Sequence, residues 1–109
     1  MHLGAMAAIG AAAPKNLVHV LLNNQAHESV GGQPTAAVQA DFCRIAAGCG
    51  YPQILRAENE QELADCLKKI RNSRMLTLLE INIAKGSRDN LGRPTIKPIE
   101  NKNTFMNEL

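Results

Sequence analysis

Residues 17–22, Leu17-Val18-His19-Val20-Leu21-Leu22, form an apolar run without clear alternation that ends abruptly at the polar pair Asn23-Asn24. Such a run reads as a strand buried within a parallel sheet. Parallel strands must be joined by crossovers, usually helices, so the flanking sequence has to provide them. Residues 3–13 combine Met6, Ile9 and six alanines, a helix-forming composition despite Gly4 and Gly10, and close at Pro14. Thr35 is placed to cap a helix running to about Ala47, with Val38, Phe42, Ile45 and Ala46 at helical spacing and Gly48 to Gly50 ending it. Asn59 followed by Glu62 is a capping-box pattern, and Leu63, Cys66, Leu67 and Ile70 supply the apolar stripe behind it. Residues 52–57 read as extended. Residues 75–83 read as the last strand, alternating at Leu76 and Leu78 and less strictly at Ile81 and Ile83. The order helix, strand, helix, strand, helix, strand predicts an α/β fold, a partial parallel sheet flanked by helices over residues 1–85. Residues 86–109 hold Gly86, Gly92, Pro94 and Pro98 and are expected to form an irregular tail that docks late or on a partner.

At 109 residues the chain is of single-domain size. Its aromatic residues are Phe42, Tyr51 and Phe105, so aliphatic side chains must fill the core and stacking platforms for single-stranded nucleic acid are nearly absent. The formal charge of +2 is spread along the chain, with one short basic cluster at Lys68, Lys69 and Arg71. Neither nucleic acid nor an anionic membrane is expected as a partner. Cys43, Cys49 and Cys66 are odd in number and match no zinc spacing, which points to reduced thiols in a cytoplasmic protein. The apolar start lacks a basic leading region and is built of Ala and Gly rather than Leu, so a secretory signal is rejected. No stretch approaches the roughly 20 apolar residues of a membrane span.

The first helix is small and apolar on all sides, which predicts packing on more than one face. A parallel α/β sheet normally opens with a strand, whereas this sequence opens inside a helix. The expectation is that a start is missing, the chain being either a fragment of a longer protein or one that leans its first helix on another chain.

Parallel sheets bind ligands just beyond the carboxyl ends of their strands. Asn23, Asn24, His27 and Glu28 therefore fall where a ligand would sit. A carboxamide oxygen is a neutral hard donor suited to Mg²⁺, which is typically held by one or two carboxylates together with phosphate oxygens of a cofactor. Asn24 and a backbone carbonyl just after it supply two such oxygens, and the missing acid is expected from before Met1 because the turn directs Glu28 elsewhere. Plainer readings stand beside this one: Asn-Asn after a strand is common in ordinary turns, and Gly31-Gly32 is a loop device rather than a phosphate cradle. His19 reads as a satisfied core histidine, and His2 as either a surface residue or one that faces a cofactor.

The segments Met1-His2-Leu3-Gly4-Ala5-Met6, Asn23-Asn24, Gln25-Ala26-His27-Glu28-Ser29-Val30-Gly31-Gly32-Gln33-Pro34-Thr35 and Gly92-Arg93-Pro94-Thr95 resemble the thiamine-diphosphate-dependent 2-oxo acid decarboxylases, the phosphonopyruvate decarboxylases first and the sulfopyruvate decarboxylases close behind. The likeness runs over nearly the whole chain and covers the carboxyl-terminal part of the domain that binds the cofactor's diphosphate. It implies that Asn24 gives its side-chain oxygen, and Ala26 its backbone carbonyl, to a Mg²⁺ that bridges to thiamine diphosphate, with Asn23 and Ser29 against the cofactor. It further implies that His27 and Glu28 are catalytic, orienting a 2-oxo acid substrate or moving a proton once carbon dioxide leaves. The family's motif opens with Gly-Asp-Gly, which is absent here, as is the domain whose glutamate activates the cofactor. The resemblance thus implies an upstream domain or partner subunit, a homo-oligomer, and an inactive isolated chain. Arg88, Arg93 and Lys97 read as a solvated tail, with contact to a phosphonate or sulfonate as the alternative. The competing class is a non-catalytic α/β interaction module that has lost the cofactor.

Overall fold

The computed structural model describes residues 3–92 and 95–108. His2 and Arg93, singled out above, lie outside the described residues. Along the chain come α1 (Gly4–Ala12), β1 (Val18–Asn23), β2 (Ala26–His27), β3 (Gln33–Pro34), α2 (Phe42–Gly48), β4 (Gln53–Ala57), α3 (Glu60–Arg71), β5 (Thr77–Asn82) and α4 (Pro98–Asn107). Strands β1, β5 and β4 form a three-stranded parallel sheet in that order, while β2 and β3 pair as a small antiparallel ribbon. The α/β reading and its parallel sheet are therefore present.

Strand β5 lies in the middle because its residues are apolar on both faces. Leu76 and Leu78 pack with Met6, Ala46 and Tyr51 under α1 and α2, whereas Leu79 packs with Ala57 and Cys66 under α3. Asn59 caps α3 as expected, its side chain accepting from the Glu62 N–H at 2.9 Å, but the Glu62 carboxylate reaches past the cap to the Glu58 N–H at 2.8 Å and to Asn59 Nδ2 at 2.8 Å, a variant of the expected box. Cys66 in α3 is buried, while Leu67 of the expected stripe is exposed.

Four expectations need correction. Strand β1 is not buried on both faces. It is an edge strand whose Val18, Val20 and Leu22 are 38%, 50% and 61% exposed, because α3 covers only the β4–β5 part of that face. Helix α1 likewise packs on one stripe, Met6, Ile9 and Gly10, rather than on several faces. Gly10 is what lets it approach, since a Cβ there would stand 1.7 Å from the Cys49 carbonyl oxygen. The helix expected from Thr35 is interrupted. Thr35 caps only a short 3₁₀ turn, Ala36–Val38, and α2 starts afresh at Asp41, whose carboxylate accepts from the Arg44 N–H. Finally, the tail is not irregular throughout, for α4 occupies Pro98–Asn107. Proline suits the first helical turn and the Glu100 carboxylate accepts from the Lys97 N–H at 3.2 Å, so the local sequence starts a helix on its own. Its side chains Ile99, Phe105 and Met106 are exposed.

Candidate functional site

The site begins at the carboxyl end of β1, where two asparagines in succession turn the chain. Asn23 is buried, and its Oδ1 accepts from the Gln25 N–H at 3.1 Å. Asn24 repeats the device one residue on, its Oδ1 accepting from the Ala26 N–H at 3.0 Å. Between them Gln25 takes φ of +57°, the left-handed conformation that completes the reversal. The chain then runs back as β2, and Gly31 and Gly32, both at positive φ, return it as β3. Neither glycine has a protein atom within 4 Å of where a Cβ would be, so it is the positive φ of the turn, and not close packing against the chain, that calls for glycine here.

The ribbon leaves one carbonyl available. Thr35 N–H donates to the Gln25 carbonyl, so residues 25 and 35 form a hydrogen-bonded pair and the next pair, Ala26 with Pro34, is of the non-hydrogen-bonded kind. The Ala26 carbonyl is consequently turned away from β3. Asn24 Oδ1 keeps a second lone pair beyond the one engaged by Ala26. Both residues line a groove of about 520 Å³ together with Leu22, His27, Thr35 and Phe42, set beyond the carboxyl end of β1.

Of the residues predicted for the site, Asn23, Asn24, Ala26 and His27 are brought together at this groove. His27 is half-buried there, with its carbonyl held by the Gly32 N–H at 3.0 Å. Glu28 sits on the 3₁₀ turn Glu28–Val30 to one side. One of its oxygens accepts from Asn24 Nδ2 at 2.9 Å and the other from the Gly86 N–H. Ser29 is exposed on the same turn and does not line the groove. Among the described residues no three His, Cys, Asp or Glu side chains converge to hold a metal. His19 is satisfied, as its sequence context suggested, by a 3.0 Å hydrogen bond between Nδ1 and the Tyr51 hydroxyl. Arg88 and Lys97 are exposed.

Sequence reading missed the group that braces the turn. Glu80, in the middle of β5, is 3% exposed and accepts from Asn23 Nδ2 at 2.9 Å, Arg56 Nε at 3.0 Å and the Cys43 thiol at 3.4 Å. Arg56 extends the network to Asp41 at the start of α2, at 3.1 Å. The hydrogen bond to Glu80 raises the pKa of Arg56, and burial, then the bond to Glu80, pushes the Cys43 thiol up. The backbone N–H of Arg44, helped by the Arg56 and Arg44 charges, holds Asp41 below the usual carboxylate range. One carboxylate thus ties the last residue of β1, the neighbouring strand β4 and helix α2 to one another. The signal for it was a lone charge in each of two apolar strands, Arg56 and Glu80, side by side in register.

No described helix is long and apolar enough to cross a membrane. The chain is 41% identical over 100 residues to the phosphonopyruvate decarboxylase of Streptomyces viridochromogenes and 38% identical to that of Streptomyces hygroscopicus, matches that cover 92% of this chain and 25% of each relative. It is 29% identical over 109 residues to the sulfopyruvate decarboxylase subunit beta of Methanococcus maripaludis, covering 58% of that protein. The chain therefore spans about a quarter of the length of the first two relatives. Residues 1–81 match the family described as thiamine pyrophosphate enzyme, C-terminal TPP binding domain, and the chain belongs to that family.

Proposed function

We propose that this chain is the part of a phosphonopyruvate decarboxylase that holds the diphosphate end of thiamine diphosphate through Mg²⁺, the complete enzyme yielding phosphonoacetaldehyde and carbon dioxide. The observation that carries the reading is the double asparagine turn, with Asn24 and Ala26, whose carbonyl turns away from β3, both lining one groove. Two neutral oxygens are what a protein offers Mg²⁺ when diphosphate oxygens and one or two carboxylates complete the shell. Asn24 and Ala26 would hold the metal; Asn23 orients the turn and stays bonded to Glu80. Ser29 is left out of the set because it does not line the groove. The cofactor, when bound, supplies the electron sink for the carbanion left by carbon dioxide. His27, half-buried in the groove wall, orients the 2-oxo acid or carries a proton to the reacting carbon.

The carboxylate and the remainder of the cofactor pocket come, in this reading, from an upstream domain or a partner subunit within an oligomer, and the chain alone is inactive. The subunit name of the methanococcal relative and the quarter-length match support that division. The free thiols Cys43, Cys49 and Cys66 suit a cytoplasmic enzyme.

The test is calorimetric titration of thiamine diphosphate into the chain assembled with a polypeptide equivalent to the remainder of its relatives. Binding should require Mg²⁺ and weaken by about tenfold or more in Asn24→Ala. Equal affinity with and without Mg²⁺, or an unaffected variant, overturns the reading. Turnover of sulfopyruvate in preference to phosphonopyruvate would keep the site and change the substrate.

A further inference from the structure

We propose that Glu28 is a positioning residue, a two-ended clamp that couples the carboxamide of Asn24 to the strap formed by residues 84–92. The two oxygens of its carboxylate have separate tasks. One accepts from Asn24 Nδ2, and the other accepts from the backbone N–H of Gly86, which lies 58 residues further along the chain. Gly86 takes φ of +105°, a conformation open to glycine, so the strap enters the contact through a bend that other residues rarely adopt.

The consequence for Asn24 is geometric. A carboxamide is planar, and once its nitrogen is held by a carboxylate its oxygen can face only the other way, toward the Ala26 N–H and the groove. Glu28 therefore decides which end of Asn24 is presented. This part of the inference rests on the metal-binding role proposed above for Asn24. The strap contact does not depend on it. Because one side chain joins the two partners, the coupling is reciprocal: loosening either end loosens the other.

The strap carries Lys85 and Arg88, both exposed, so trypsin reports how well it is held. In the 109-residue chain without cofactor, Glu28→Ala should raise cleavage after Lys85 and Arg88 by about tenfold, the loss expected for a charge-assisted hydrogen bond. Glu28→Gln, which keeps the shape but has one acceptor oxygen for two donors, should raise it by a smaller factor. Asn24→Ala, remote in sequence from the strap, should raise it too, because it frees one end of the clamp. Unchanged cleavage in both Glu28 variants at an unchanged circular dichroism spectrum removes the clamp. A rise in the Glu28 variants without one in Asn24→Ala removes the coupling. Neither result bears on whether thiamine diphosphate binds, so failure here and failure of the cofactor reading are separable. In the assembled enzyme, Glu28→Gln should raise the Mg²⁺ concentration needed for thiamine diphosphate binding, and an unchanged Mg²⁺ requirement removes the positioning role.

Discussion

Replacing Glu80 by Gln tests whether the bracing network acts as a unit. The carboxylate is buried and accepts from three donors: Asn23 Nδ2, Arg56 Nε and the Cys43 thiol. Glutamine at the same volume keeps one accepting oxygen and turns its NH₂ group toward either Asn23 or Arg56, placing donor against donor. Loss of a hydrogen bond to a charged group costs about 1.5–3 kcal/mol, and breaking a fully buried ion pair costs about 3–5 kcal/mol. Arg56 softens the loss, since its side chain is 40% exposed and retains both Asp41 and water. The expected destabilisation is accordingly about 2–4 kcal/mol, read from urea unfolding followed by far-ultraviolet circular dichroism with an unchanged denaturant slope. Combined with Arg56→Gln, the double variant should lose less than the sum of the two singles, with a coupling of about 1–3 kcal/mol. A Glu80→Gln variant within about 0.5 kcal/mol of the parent, or strict additivity with Arg56→Gln, refutes the reasoning.

Gly10→Ala and Gly4→Ala should differ in sign within one helix. Alanine favours a helix by up to about 1 kcal/mol, but at position 10 its Cβ meets the Cys49 carbonyl oxygen at 1.7 Å, and overpacking of that kind costs about 1–3 kcal/mol. At position 4 nothing lies within 4 Å, so the substitution should be neutral or stabilising, and equal effects in urea would contradict the close approach. The depressed pKa of Asp41 sets a pH dependence. A carboxyl held lower in the folded chain than in the unfolded one adds stability above the ordinary aspartate pKa of about 3.9, and that stability disappears as pH falls through the folded value. The urea midpoints of Asp41→Asn and the parent should therefore differ at neutral pH and converge as pH falls below about 4. A gap that persists unchanged into acid would show that the charge on Asp41 is not responsible.

The parts of the fold that were legible in sequence are those decided locally. The Asn59 cap and its partner Glu62 were signalled by their spacing, and β4 and β5 follow from short apolar runs between polar breaks. The positions of Asn23 and Asn24 at a strand end, and hence at the groove, were legible for the same reason. What escaped depends on which neighbours an element has. A strand reading of residues 17–22 says nothing about whether a helix covers both of its faces, and on β1 one face is bare. Alternation through Leu76 and Leu78 places Glu80 on the same face, but an isolated acid in a strand gives no sign of its partners until Arg56 and Asn23 arrive beside it. Thr35 carried a valid capping signal that served a shorter turn, because Asp41 offered a second cap six residues on. Helix α4 was announced by Pro98 and Glu100 and was overlooked amid the glycines and prolines around it.

The bare side of β1 has a directional consequence. Leu17 and Asn23 turn their carbonyls to β5, so by the two-residue repeat the backbone groups of Val18, Val20 and Leu22 point outward from the sheet. Crossovers between parallel strands are almost always right-handed. Here α2 carries the chain from β1 across to β4 over one face and α3 brings it back to β5 over the other. Helix α1 lies on the α2 face, and the same handedness leaves a parallel strand feeding α1 a single berth, alongside Val18, Val20 and Leu22. Such a strand would end next to Asn24, so whatever followed it would arrive at the groove by chirality alone. Proline in place of Val20 would close that berth without breaking a bond in the existing sheet.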